Sequence, residues 1–105
     1  MKKISTIEEY NLITGQEPSI IEFGTPMTCI PCKMTMENLH NYDVNKKFNL
    51  TYYSCDDINV ITSLGYNSIP VVVMITPHRK VELTDSSISM DYDELEDWIN
   101  KNIGE

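Results

Sequence analysis

The most apolar run in the chain is Val71-Val72-Val73-Met74-Ile75, rich in β-branched residues and bounded by Pro70 and Pro77. A run so short between two breakers predicts a central strand. Ser19–Phe23, with Ile20, Ile21 and Phe23, predicts a second buried strand, and Leu50–Cys55, with Tyr52 and Tyr53, predicts a third. After the turn Pro77-His78-Arg79, Lys80–Thr84 alternates and reads as a hairpin partner of the central run. Lys2–Ser5 is a candidate edge strand.

Helical signals fall between these strands. Thr6 can cap a short helix through Ile13, with Glu8 and Glu9 in the first turn, where the dipole favours anions, and Gly15 at its end. Cys32 to about His40 is rich in helix formers, and Asn45–Asn49 then reads as a polar connection. Asp57 is an N-cap for Ile58–Leu64, where Ile58, Ile61 and Leu64 share one face and Gly65 stops the helix. A final helix from about Asp91 to Ile103 carries the apolar stripe Leu95, Trp98, Ile99 and Ile103. It opens with capping-box spacing at Asp91 and Glu94 and closes at Gly104. The order β-α-β-α-β-α-β-β-α, in 105 residues without repeat or linker, predicts one domain over 1–105. Its class is α/β, with a mixed central sheet and helices on both faces.

Charge narrows the partners. The net charge is −8, and a field of that sign repels phosphate backbones and anionic lipid surfaces. Neither nucleic acid nor membrane is expected as a partner. The acids Asp91, Asp93, Glu94, Glu96 and Asp97 read as a solvated helix face. No stretch approaches the length of a membrane span, and Met1-Lys2-Lys3 is followed by Ser5, Thr6, Glu8 and Glu9 rather than an apolar segment. A cytoplasmic location is therefore expected.

Three cysteines are present: Cys29, Cys32 and Cys55. An odd count without a secretory signal argues against a structural disulfide framework. A close pair in a reducing compartment is redox-active or metal-binding. Cys55, at a strand end, reads as a small core thiol. His40 and His78 read as surface groups. Met27, Met34 and Met36 read as core packing or a flexible apolar rim near the pair.

Cys29-Ile30-Pro31-Cys32 follows a predicted strand and the breakers Gly24, Thr25 and Pro26, and opens a predicted helix. The first amides of a helix point at the first cysteine, and the dipole there favours a thiolate, the reactive form. Two intervening residues let the second sulfur reach the first. Pro31 has no amide to lose at a helix start. Glu22 lies within an apolar strand, where burial would raise its pKa and suit proton transfer. Lys33 follows the pair, where it either stabilises a thiolate or solvates the helix.

Thr28-Cys29-Ile30-Pro31-Cys32-Lys33 resembles the active-site segment of the thioredoxin family, where a lysine commonly follows the second cysteine. Ser68-Ile69-Pro70, before the apolar strand, resembles that family's cis-proline loop, and Gly65-Tyr66 precedes it where the family often has Tyr-Gly. The resemblance covers nearly the whole chain in element order and implies the thioredoxin fold, a three-layer α/β/α sandwich. It implies a thiol–disulfide oxidoreductase, with Cys29 as attacking thiolate and Cys32 as resolving thiol. It further implies that Pro70 is cis and that Ile69, Pro70, Thr28, Ile30 and Pro31 meet the substrate. Glu22 matches the family's buried acid, one residue further from the first cysteine than usual. Thr28 stands where the family usually has tryptophan, and the lysine that pairs with the buried acid in many members has no match on Leu50–Cys55. No cofactor beyond the redox-active Cys29–Cys32 disulfide is implied and no metal site. The implied partners are oxidised substrate proteins and a disulfide reductase as electron donor, and a monomer is expected.

Three other readings stand beside this one. Glutaredoxins are neighbours, but no Gly-Gly pair follows the hairpin. Met27-Thr28-Cys29-Ile30-Pro31-Cys32 also matches the M-x-C-x-x-C of small Cu(I) carriers, since soft thiolates favour Cu(I). A non-catalytic module could clamp a partner through the methionine rim and the Pro70 loop.

Overall fold

The computed structural model describes residues 1–104. Five strands form one sheet: β1 (Lys2–Lys3), β2 (Ser19–Phe23), β3 (Thr51–Cys55), β4 (Val71–Ile75) and β5 (Lys80–Leu83). Their spatial order is β1-β3-β2-β4-β5. β1, β3 and β2 run parallel, while β4 is antiparallel to both β2 and β5, so the sheet is mixed as expected. The helices are α1 (Ile7–Asn11), α2 (Ile30–Val44), α3 (Ile58–Ser63), α4 (Ser86–Ser89) and α5 (Tyr92–Ile103). This is an α/β sandwich.

All five residues of β2 and of β4 are buried, which is why these strands read as continuous rather than alternating apolar runs. Alternation then sends neighbours to opposite faces. Ile21, Phe23, Val71, Val73 and Ile75 join Tyr10 of α1 and Val60 and Ile61 of α3 in one cluster. Ile20, Val72 and Met74 join Leu39 and Tyr42 of α2 and Leu95 and Ile99 of α5 in the other.

The elements depart from the pattern reading in several places, and α1 already ends at Asn11 rather than Ile13. Helix α2 runs to Val44, beyond His40, because Cys32, Thr35, Leu39 and Tyr42 form its buried face. A cysteine and a threonine in that stripe hide its periodicity. Helix α4 has a single apolar residue, Ile88, which packs on the core but is too little to show a period. It is held by an Asp85 cap, a Thr35 Oγ1–Ser89 Oγ hydrogen bond of 2.9 Å, and Asn38 Nδ2 donating to the Ser89 and Met90 carbonyls. On α3 the inward residues are Val60 and Ile61, while Ile58 is 55% exposed, so it does not share the buried face with Ile61. The edge strand is shorter than Lys2–Ser5, although the Ile4 amide still donates to the Ser54 carbonyl at 2.8 Å. At Asp91 the cap is one-sided: its carboxylate accepts from the amides of Asp93 and Glu94.

Candidate active site

The C-terminal end of β2 leads through Gly24 and a tight turn into α2. The Thr25 carbonyl accepts from the amides of Thr28 and Cys29 at 3.0 and 2.9 Å, and the two threonine hydroxyls pair at 3.0 Å. This turn puts Cys29 at the N-cap of α2, with Pro31 in the first turn, where a missing amide leaves no gap. The Cys32 amide donates to Cys29 Sγ at 3.3 Å. A sulfur there faces the positive end of a long helix, which stabilises a thiolate. Cys29 and Cys32 are disulfide-bonded, with Cα atoms 5.2 Å apart. Cys29 is half-buried and Cys32 fully buried, so one sulfur is open to approach and the other is covered.

Glu22 is 1% exposed, and neither carboxylate oxygen has a hydrogen-bond partner among the described residues. Burial alone raises its pKa from 4.5 to about 8. The carboxylate and the buried sulfur share one space. A Cβ placed on Gly24 would lie 2.8 Å from Cys32 Sγ and 3.3 Å from Glu22 Oε2. Only glycine leaves that space open. The sequence shows Gly24 as a breaker, and its second role becomes visible only when α2 folds back over β2.

Pro70 is buried and follows a cis Ile69-Pro70 bond; Ile69 is half-buried. The β2–β4 register pairs Phe23 with Val71. One step beyond that pair, Pro70 and Gly24 stand at the same end of the sheet, the end that carries the disulfide. Around Cys29 lies a shallow open pocket of about 500 Å³ lined by Pro26, Met27, Thr28, Ile30 and Lys33. Met27 is 94% exposed and Ile30 73% exposed, which gives the disulfide an apolar rim. Lys33 is exposed on the same rim, and its amide donates to the Cys29 carbonyl at 3.0 Å. His40 and His78 are exposed and lie outside this group.

Cys55 is free and buried on the other face of the sheet, beside Phe23, Val60 and Ile61. Burial holds its pKa above the usual thiol range, against a hydrogen bond from the Asp57 backbone that lowers it. It takes no part in the cluster around Cys29.

No protein-family model and no curated protein matches this sequence. Solved structures do. The thioredoxin of Malassezia sympodialis superposes with a TM-score of 0.73 at 20% identity, over 96% of this chain and 89% of its own. The thioredoxin of Fasciola hepatica gives 0.74 at 13% identity, over 96% and 98%. Mitochondrial thioredoxin 3 of Saccharomyces cerevisiae, in its oxidized form, gives 0.70 at 19% identity, over 96% and 94%. The chain thus has the thioredoxin fold, with the Cys29–Cys32 pair at the start of α2.

Proposed function

We propose that this protein is a thiol–disulfide oxidoreductase that reduces protein disulfides by dithiol exchange. One observation carries the reading: an accessible sulfur at the N-cap of α2 is bonded to a buried sulfur that shares a closed space with an unpartnered carboxylate. In the reduced protein, the Cys29 thiolate attacks one sulfur of a substrate disulfide. That S–S bond breaks, the leaving thiolate takes a proton from water, and a mixed disulfide forms. The Cys32 thiol then gives its proton to the Glu22 carboxylate and attacks Cys29 Sγ. The second substrate thiolate leaves, and the Cys29–Cys32 disulfide remains. Two electrons have passed from the protein to the substrate.

Each residue of the rim has a part in this reading. Thr28, Ile30, Pro31, Ile69 and Pro70 receive the chain that flanks the substrate disulfide, and Lys33 adds positive charge beside Cys29. The dithiol is regenerated by an external dithiol, for which a disulfide reductase is the natural class of partner. A reducing, cytoplasmic setting suits the free Cys55.

The test is a trap. Reduced Cys32→Ser protein mixed with a peptide disulfide should accumulate a covalent adduct through Cys29, seen by intact mass and lost on adding dithiothreitol. Reduced wild-type protein should instead release free peptide thiols. No adduct, or an adduct on Cys55, overturns the assignment.

A further inference from the structure

The segment between α3 and β4 carries Pro70 to the disulfide; it starts with the Gly65 amide donating to the Thr62 carbonyl at 2.9 Å and ends with Ile69 packed on the core. Among the described residues, no hydrogen bond holds Asn67, Ser68 or Ile69. Tyr66, the residue before them, is tied three ways. Its amide donates to the Ile61 carbonyl at 3.3 Å, after Gly65 has turned the chain at φ 89°. Its ring packs on Phe23 with centroids 5.4 Å apart. Its hydroxyl donates to the Glu82 carboxylate on β5.

A second tyrosine meets the Phe23 ring and is also held from β5. The ring of Tyr10 meets Phe23 edge-on at 5.7 Å, and Lys80 Nζ lies 4.6 Å over the Tyr10 ring. Lys80 and Glu82 are two apart on β5, so they share one side of the strand. The outer strand thus grips two tyrosines, and both pack on Phe23, the residue that precedes Gly24. The Tyr66–Glu82 bond is solvent-exposed, and exposed polar pairs add little to global stability. Its effect is therefore local, on the stretch that follows, which packs on the core through Ile69 and has no hydrogen bond of its own among the described residues.

We propose that Tyr66, held by Glu82, is a positioning residue that fixes the loop from Gly65 to Ile69 and so sets where Ile69-Pro70 stands for a docking peptide. The inference rests on the oxidoreductase reading for its consequence, and on the loop geometry alone for its cause. Tyr66 and Glu82 do not touch the sulfurs. They act on substrates that need the loop, and not on the dithiol itself.

Two readouts test cause and consequence separately. Tyr66→Phe and Glu82→Ala both delete the bond, while Glu82→Gln keeps an acceptor on the same stem. NMR order parameters for the Asn67, Ser68 and Ile69 amides should fall from a rigid ~0.85 toward ~0.6 in the first two variants and stay high in the third. Reduced Tyr66→Phe and Glu82→Ala should react about fivefold more slowly with a disulfide-bonded peptide, as expected for the loss of one modest contact. Their rate with hydroxyethyl disulfide and their equilibrium with glutathione should match wild type. Unchanged order parameters, or equal slowing with both disulfides, overturn the proposal. A wild-type protein that reduces neither disulfide overturns the functional reading instead, and the order parameters then still decide whether Tyr66 holds the loop.

Discussion

Two cysteines of this chain lie at the same end of the sheet, on opposite faces, and beyond a shared burial their surroundings differ in what governs thiol chemistry. Cys32 lies on the α2 face, beside an unpartnered carboxylate and three residues from a sulfur at a helix N-cap. Cys55 lies on the α1/α3 face among Phe23, Val60, Ile61 and Val71, with its pKa raised by burial. Both are buried. Burial alone makes a core thiol inert; in the proposed mechanism, burial next to a helix start and a carboxylate suits Cys32 to resolve a mixed disulfide. On the proposed reading, the side of the sheet on which each thiol lies, Cys32 on α2 and Cys55 at the end of β3, separates the two roles, and not the residue type.

The strongest way to break this contrast is to remove the thiols one at a time. Cys29→Ser should lower peptide-disulfide reduction to the uncatalysed background, and Cys32→Ser should stop it after one mixed disulfide. Cys55→Ala should leave the rate within about twofold while lowering unfolding stability by roughly 1 kcal/mol, read by denaturant titration, for the small cavity it leaves. A Cys55 variant that loses activity would erase the distinction between the faces.

Glu22 sharpens it next. Glu22→Gln should slow resolution of the mixed disulfide by roughly a hundredfold, the lower range for loss of a general base. In wild type that step should accelerate as pH rises through about 8, where the carboxylate forms, and the Gln variant should show no such rise. The stability sign follows from the same shift. Between 4.5 and about 8 the folded chain keeps a proton that the unfolded chain releases. Wild-type stability should therefore fall as pH rises across that window, by on the order of 5 kcal/mol, and level off above it. Glu22→Gln should flatten the slope and be the more stable protein above pH 8. Chemical denaturation at pH 4, 6 and 9 reads the effect.

Smaller effects belong to the space and the rim. Gly24→Ala places a Cβ against Cys32 Sγ, which overpacks the site and should lower stability by about 1–3 kcal/mol in the same denaturation assay. Met27→Ser and Ile30→Ser alter exposed positions, so stability should stay within about 0.5 kcal/mol. Their mark should be a rate with peptide disulfides lower by about two- to threefold, and an unchanged rate with hydroxyethyl disulfide.

Much of this was legible along the chain. The buried strands announce themselves because β2 and β4 are covered on both faces, and the dithiol is visible because its spacing and the breakers before it lie within a few residues. Glu22 stands out for the same local reason, as an acid in an apolar run. What escapes is the product of long-range contact. Helix α4 is fixed by Thr35 and Asn38, about fifty residues away, and has no apolar stripe of its own. Helix α2 extends to Val44 because Tyr42 is buried against Phe48 and Tyr92, and its hydroxyl donates to the Tyr92 carbonyl. The shared space at Gly24 and the Tyr66–Glu82 tie exist only once separate elements meet. Ile58 fits a three-residue spacing and still faces solvent, because a helix of one and a half turns can bury Val60 and Ile61 instead.

The most direct test of the central claim is the redox equilibrium of Cys29–Cys32 in defined glutathione buffers, read by mass after unfolding and alkylation. A reversible two-electron couple is expected, in which the oxidised protein takes one alkyl group, on Cys55, and the reduced protein takes three. If no Cys29–Cys32 disulfide forms at any glutathione ratio, or Cys55 is the thiol that pairs, the protein does not work as a Cys29–Cys32 dithiol oxidoreductase.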